Sequence, residues 1–350
     1  MNASDFETRR NRILETVIEA HVASALPVGS EYVAKRLRPA VSSATIRNVM
    51  GELEEAGYLV QPHTSAGRVP TDRGYRFYVD SVMPPRSLPA EQVRQVRELI
   101  APEELEAGHV MARASAALAE LAQEAGFVLA PTVKSSKVRQ IELVPLGVRR
   151  VLCVLVANEE MVASHVVEIT EPLTREEVVA LSRFINTELV GLPFSDLLGL
   201  LERRLLAEQD TIFYLVKRSL TILQGALSTE PTERLFLEGA SYVLAQPEFE
   251  RNPRQAHALV RLLESEDALV DCLRRELPVD GVRVRIGHEL PADGLHSCSA
   301  VVAPFAVGPG AVGLVGVLGP KRMDYPRVRA LVDAVSRSLT DLFQAWERGG

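Results

Sequence analysis

Cysteine is scarce in this chain. Cys153, Cys272 and Cys298 are the only three; they lie far apart and form no CxxC pair. That excludes a disulfide framework and a structural zinc site, and fits a reduced, cytoplasmic setting. Basic charge is not in excess either: the formal net charge is −7, and residues 1–80 carry ten Lys/Arg against ten Asp/Glu. A broad positive field for nucleic acid is therefore absent, and any DNA contact must rest on a few placed groups. No apolar run is long enough to span a membrane. Residues 298–320 lack charge, but Pro304, Pro309 and five glycines break them up, which predicts a buried hairpin. The opening MNASDFETRR has no apolar core of the kind a secretory leader needs. Catalytic signatures are also missing. The seven histidines are scattered, with no HxxxH, HExxH or GxSxG, and GVLGPKR lacks phosphate-loop spacing. No enzyme, cofactor or metal is expected. The one loose cluster is His288, His296 and Cys298, too sparse to define a site.

What is present is concentrated near the N-terminus. At 350 residues the chain has room for two or three domains. Ile13, Leu14, Val17 and Ile18 make the stripe of a helix over residues 6–22. Arg9, Arg10 and Arg12 stand near its start, either on a solvated face or facing a phosphate. Pro27, Gly29 and Ser30 form a loop and N-cap, and a second helix follows over residues 31–37. The third helix, residues 43–56, spaces Ile46, Val49, Met50 and Leu53 at i, i+3, i+4, i+7 and stops at Gly57. Its opposite face carries Thr45, Arg47 and Asn48 early, and Glu52, Glu54 and Glu55 late. Only the first half of such a helix can approach a polyanion. Gly51 in its middle suggests close approach of another backbone. A hairpin over residues 58–61 and 68–70 completes the order helix, helix, turn, helix, hairpin, which is that of a winged helix-turn-helix.

The candidate DNA-binding residues follow from this order. Ser30, Ser42 and Ser43 stand at helix starts, where hydroxyls and backbone N–H groups hold phosphates. Arg47 and Asn48 are the side-chain types that read guanine and adenine edges, and Thr45 suits a thymine methyl. His63, Thr64 and Ser65 form a small polar wing tip. Arg68 has the chemistry for a minor groove or a phosphate. Each also has a local explanation: Ser42 as a cap, Arg47 paired with a nearby Glu, His63 in solvent, Arg68 pinning the wing to Asp72. Beyond the wing, Thr71 suits an N-cap, and Tyr75, Phe77, Tyr78 and Val79 form an aromatic face in a chain with only 5% aromatics. That face predicts packing of the head on the next domain.

At Ser65 the run SAGRVPTDRGYRFYVD resembles the hallmark segment of the HrcA family, heat-inducible repressors of bacterial chaperone operons. Gly67, Arg68, Pro70, Thr71, Asp72, Gly74 and Tyr75 are all in place. VGLVGVLGPKRMDYPRV resembles the same family's C-terminal signature, and FVLAPTV, QIELVPL and FINTELVGLPFSDL resemble its middle segments. The fold class expected is α+β multidomain. A winged helix-turn-helix over residues 1–80 precedes a GAF-like domain over 81–135 and 227–350. An inserted dimerisation domain over 136–226 holds a three-stranded antiparallel sheet and helices. The GAF label and the dimerising role come from the resemblance alone. So do the expected partners: an inverted-repeat operator in double-stranded DNA, a second copy in a homodimer, and a GroEL-type chaperonin that maintains activity. The competing reading is a GAF-type repressor answering a small ligand.

The remaining pattern predicts helix over residues 91–127 with a break near Ala101. Strands follow over 138–146, 150–157 and 161–169, the middle one, VLCVLVA, buried on both faces. A capping box opens a helix at Thr174. Helices are expected over 195–227, 233–245 and 253–277. Three strands over 282–286, 298–307 and 311–318 and a closing helix over 325–346 end the chain.

Overall fold

The computed structural model describes residues 3–37, 41–63, 66–101, 106–131, 137–157, 162–207, 211–228, 234–275, 281–308 and 311–349. Three helices open the chain: α1 (Ala3–Ser24), α2 (Ser30–Arg36) and α3 (Ser43–Glu55). The stripe Ile13, Leu14, Val17 and Ile18 is buried against Val33 and the α3 residues Ile46, Val49, Met50 and Leu53. A hairpin of β1 (Leu59–Val60) and β2 (Val69–Pro70) follows, pairing Leu59 with Pro70 and Val60 with Val69. It is shorter than the pattern suggests, because Arg68 pairs its backbone with Val28 instead of continuing the ladder. Thr71 then caps α4 (Asp72–Phe77), its hydroxyl accepting from the Gly74 N–H at 3.0 Å. A π-helical turn, Tyr78–Val82, and an irregular stretch lead to α5 (Ala90–Ile100) and α6 (Ala107–Ala122).

The body is built on a five-stranded antiparallel sheet of order β7-β3-β10-β9-β8. Its strands are β3 (Ala125–Leu129), β7 (Leu235–Glu238), β8 (Arg283–Ile286), β9 (Cys298–Ala306) and β10 (Val312–Pro320). Two expectations fail here. Residues 125–127 and 235–238 read as helix but are strands. Gln123, in the left-handed region at φ 57°, ends α6, and Phe127 then pairs with Leu237 across the sheet. The uncharged run 298–320 is the expected hairpin, nine residues on each strand. It can be fully apolar because both sheet faces are covered. Val128, Val301, Val315 and Val317 face α5, α6 and the closing helix α14 (Tyr325–Gly349). Phe127, Leu129, Val302 and Leu314 face α10 (Ala240–Leu244), α11 (Pro247–Glu250), α12 (Pro253–Glu264) and α13 (Glu266–Arg274).

A second core is made only of residues between Val138 and Leu227. It joins a three-stranded antiparallel sheet, β4 (Gln140–Pro145), β5 (Arg150–Val156) and β6 (Val162–Glu168), to α7 (Arg175–Leu189), α8 (Phe194–Ala207) and α9 (Thr211–Ser228). The capping box at Thr174 is present, with Glu177 completing it. The single helix expected over 195–227 is two, α8 and α9, with residues 208–210 outside the described residues. The central strand differs from expectation too. Val151, Cys153 and Leu155 are buried, whereas Leu152, Val154 and Val156 are only half-buried. Helices cover one face of this sheet and leave the other open, where Val144, Leu152, Val154, Val156, Val162 and Val166 lie among Gln140, Glu142, Arg150, Ser164 and Glu168.

The core of the N-terminal head is continuous with that of the body. Its buried residues run through Tyr75 and Tyr78 into the core beneath α14. Glu124 lies beside this joint, at the turn between α6 and β3. Its Oε2 is buried against Gly319 without a hydrogen-bond partner. Burial pushes the carboxyl up to about 8, despite the opposing pull of Arg322. A carboxyl raised in the folded state stabilises fully below its unfolded value of 4.5, and that contribution is lost as pH rises toward 8. Glu124→Gln removes this dependence. Its stability advantage over the wild type in urea titrations is expected to grow from about pH 5 to pH 8, reaching about 1–3 kcal/mol. An advantage that does not change with pH contradicts this reading of Glu124.

Candidate nucleic-acid interface

The candidate interface is the outer surface of α3 and the hairpin beside it. Ser42 caps α3: its Oγ accepts from the Thr45 N–H at 3.1 Å and lies 2.8 Å from the Thr45 hydroxyl. The cap therefore engages both side chains while leaving them at the surface. Ser30 is not the cap of α2. Gly29 holds that position, and Ser30 is nearly buried in the first turn, its Oγ 2.9 Å from that of Ser43. This bond ties α2 to the start of α3. Because Ile46, Val49, Met50 and Leu53 face inward, Thr45, Arg47 and Asn48 face outward. Arg47 and Asn48 are exposed and, among the described residues, make no hydrogen bond or ion pair; the pairing of Arg47 with a local Glu is not seen.

The wing is held close to this helix by backbone and charge together. Val28 and Arg68 exchange both backbone hydrogen bonds, each at 2.9 Å. Gly67 permits that approach, since a Cβ there would meet the Val28 backbone. The side chain of Arg68 does not reach Asp72. Its Nε donates to Glu54 Oε2 of α3 at 2.9 Å, with 17% of the Arg68 side chain exposed. Glu54 Oε1 accepts from the Gln61 N–H at 3.2 Å, and Gln61 Nε2 donates to the Ala66 carbonyl at 2.8 Å. A groove of about 510 Å³ is left between α2, α3 and the wing, lined by Ser30, Arg47, Gln61, Gly67 and Arg68 among others. His63 is exposed at the wing tip; Thr64 and Ser65 lie outside the described residues.

Three of the ten candidates, Thr45, Arg47 and Asn48, thus share one outward face. Ser42 and Ser43 border it at the helix start. Ser30 is engaged beneath it, and Arg68 is drawn to Glu54. Glu54 and Gln61 were not among the candidates. They lie fourteen and seven residues from Arg68, and no local pattern joins them. The arginines of α1 are not a uniformly solvated face: Arg12 is exposed, but Arg9 and Arg10 are half-buried.

Cys298 is buried in β9, and burial pushes its thiol up to about 12. His288 and His296 stack at 4.5 Å. Among the described residues no group of three or more His, Cys, Asp or Glu is placed to hold a metal. None of the described helices is long and apolar enough to cross a membrane.

Comparison with known proteins bears on the same question. A family model described as the HrcA protein C terminal domain matches residues 108–328. Over 345 residues the chain is 36% identical to a protein of Geobacter sulfurreducens named heat-inducible transcription repressor HrcA, covering 97% of this chain and 99% of that one. The chain belongs to the HrcA family. A Brevibacillus brevis protein of the same name is 34% identical over 340 residues, covering 96% and 98% of the two chains. A crystal structure of a hypothetical protein at 2.2 Å superimposes with a TM-score of 0.57 at 23% identity, over 96% of this chain and 98% of that one. That likeness is one of fold. The name these relatives carry is that of a heat-inducible transcription repressor.

One residue in α3 departs from expectation. A Cβ on Gly51 would meet nothing within 4 Å, so no approaching backbone requires glycine there. Gly51→Ala is expected to stabilise the protein by about 0.5–1 kcal/mol, as alanine does in a helix interior. Urea titration measures this, and a loss of stability would show that the position is constrained after all.

Proposed function

We propose that the protein represses transcription by binding an inverted-repeat operator as a homodimer and releasing it on heating. Residues 1–80 act as a winged helix-turn-helix head, residues 81–135 and 227–350 as a GAF-like domain, and residues 136–226 as an inserted dimerisation domain. The observation that carries this reading is the outward face of α3. Thr45, Arg47 and Asn48 stand exposed on one side of a capped helix, while the other side is fully packed. Such a helix enters a major groove by its N-terminal half, leaving Glu52 and Glu55 at the rim. Ser42 and Ser43 border the phosphates, and the wing tip, His63 to Ser65, follows the adjacent backbone. Arg68 serves this scheme by holding the wing against Glu54.

A two-fold operator requires a two-fold protein. The open face of the β4–β5–β6 sheet supplies a surface for it. Val144, Val162 and Val166 are exposed there at 43%, 56% and 44%, beside half-buried Leu152, Val154 and Val156. Apolar surface of this kind is stabilised by burial against a second copy. Heat-dependent release then needs only a modest loss of competent dimer, because dimer stability depends on protomer concentration. A GroEL-type chaperonin completes the proposal by restoring the binding-competent form in the cytoplasm.

Gel shift on inverted repeats upstream of chaperone operons tests the core of this reading. Binding that falls on mild heating and recovers with chaperonin supports it; affinity indifferent to both contradicts the release mechanism. Arg47→Ala is expected to lose about 1–3 kcal/mol of operator affinity and to relax preference at one base pair. Unchanged affinity and preference would remove Arg47 from the base-reading set.

A further inference from the structure

The hallmark segment TDRGYR turns away from the wing and onto the body. Asp72 accepts from Lys321 Nζ at 2.6 Å, from His288 Nδ1 at 2.8 Å and from the His288 N–H at 3.3 Å. The loop after β8 is shaped around this carboxylate: Gly287 is left-handed at φ 55°, and a Cβ there would run into Asp72. Burial pushes the Asp72 carboxyl up, but the bonds from His288 and Lys321 outweigh it and hold it below its usual range. Four residues on, Arg76 pairs with Glu289 and with Asp80, and donates to the Val284 carbonyl at 2.7 Å. Between them Tyr75 is buried against Tyr325 at the start of α14, ring centroids 5.9 Å apart. From the body side, Arg322 donates to the Val22 carbonyl near the end of α1 at 2.9 Å. The head is thus fastened at the loop after β8, the loop after β10 and the start of α14.

We propose that Asp72 and Arg76 are positioning residues for DNA binding, clamping each head on its body so that the two heads of a dimer sit at one fixed separation. This rests on the dimeric repressor reading above. Neither residue need touch DNA. Without the clamp, each head would hang on the irregular stretch after Val82. A tethered head finds its half-site with an effective concentration spread over many positions, whereas a clamped head concentrates it at one. The clamp therefore acts on affinity for the complete operator and on the permitted spacing of half-sites, not on recognition of one half-site. Its ion pairs are partly shielded, with 27% of the Asp72 and 29% of the Arg76 side chain exposed, and they act with the buried Tyr75 contact as one seat.

The test uses an inverted repeat selected from random duplex DNA by the full-length wild type, the same repeat with its spacer lengthened by about half a helical turn, and a single half-site. Fluorescence anisotropy compares wild type with the double variant Asp72→Asn, Arg76→Gln. The variant is expected to bind the half-site as the wild type does, to lose about tenfold or more on the native spacing, and to discriminate less between the two spacers. A retained spacing preference overturns the proposal. So does an equal loss on the half-site, which is what mere misfolding of the head would produce. The exchanged pair Arg76→Glu with Glu289→Arg is a second check, expected to recover part of the spacing preference that Arg76→Glu alone loses; no recovery counts against the clamp. A wild type that selects no inverted repeat overturns the repressor reading itself, which is a separate result from a bound wild type whose variant keeps its spacing preference.

Discussion

The rest of the structure depends on how six residues, Thr71 to Arg76, are seated. Thr71 ends the wing and starts α4, and Asp72, Tyr75 and Arg76 fasten that helix to the body. Each contact is modest alone, as half-exposed ion pairs are. Their strength lies in sharing one small seat with a buried tyrosine pair, so that no one of them can open without exposing the others. The core of the head consequently runs on, through Tyr75 and Tyr78, into the one under α14. A head seated this way transmits any loosening of the body directly to α3.

The outer surface of α3 and the wing is correspondingly spare. The head is neutral, and its few outward side chains are held in place by others. Ser42 fixes the helix start, Ser30 ties it to α2, and the Glu54–Arg68 pair holds the wing at a set distance. Glu54 is informative because it is an acidic residue beside the wing. Its bonds to Arg68 and the Gln61 N–H show what it does there. It converts a basic wing residue into a structural strut and leaves Arg47, among the described residues, as the groove cation without an ion pair.

Local pattern made much of this legible. Helices α1 and α3, the caps at Ser42, Thr71 and Thr174 and the hairpin of β9 and β10 all follow from spacing of apolar residues and cap chemistry within a few positions. The aromatic face at Tyr75 and Tyr78 was readable as a packing face for the same reason. What escaped reading was long-range. Strands β3 and β7 look helical because their short apolar runs carry no period, and only their pairing across the sheet decides them. The half-open β5 has the composition of a buried strand, because half-buried Leu152, Val154 and Val156 read the same as fully covered residues. Arg68 chose Glu54 over Asp72, and Asp72 chose Lys321, 249 residues away, for reasons no window of sequence contains.

The central claim is that head and body form one cooperative unit joined at this seat. Hydrogen exchange of the full-length protein in low urea measures it directly, comparing amides of α3 with those of β10. Both sets are expected to open with the same free energy and the same urea dependence. If α3 instead opens at lower free energy and with a small urea dependence while β10 stays protected, the head is an independently hinged domain and not part of one cooperative unit.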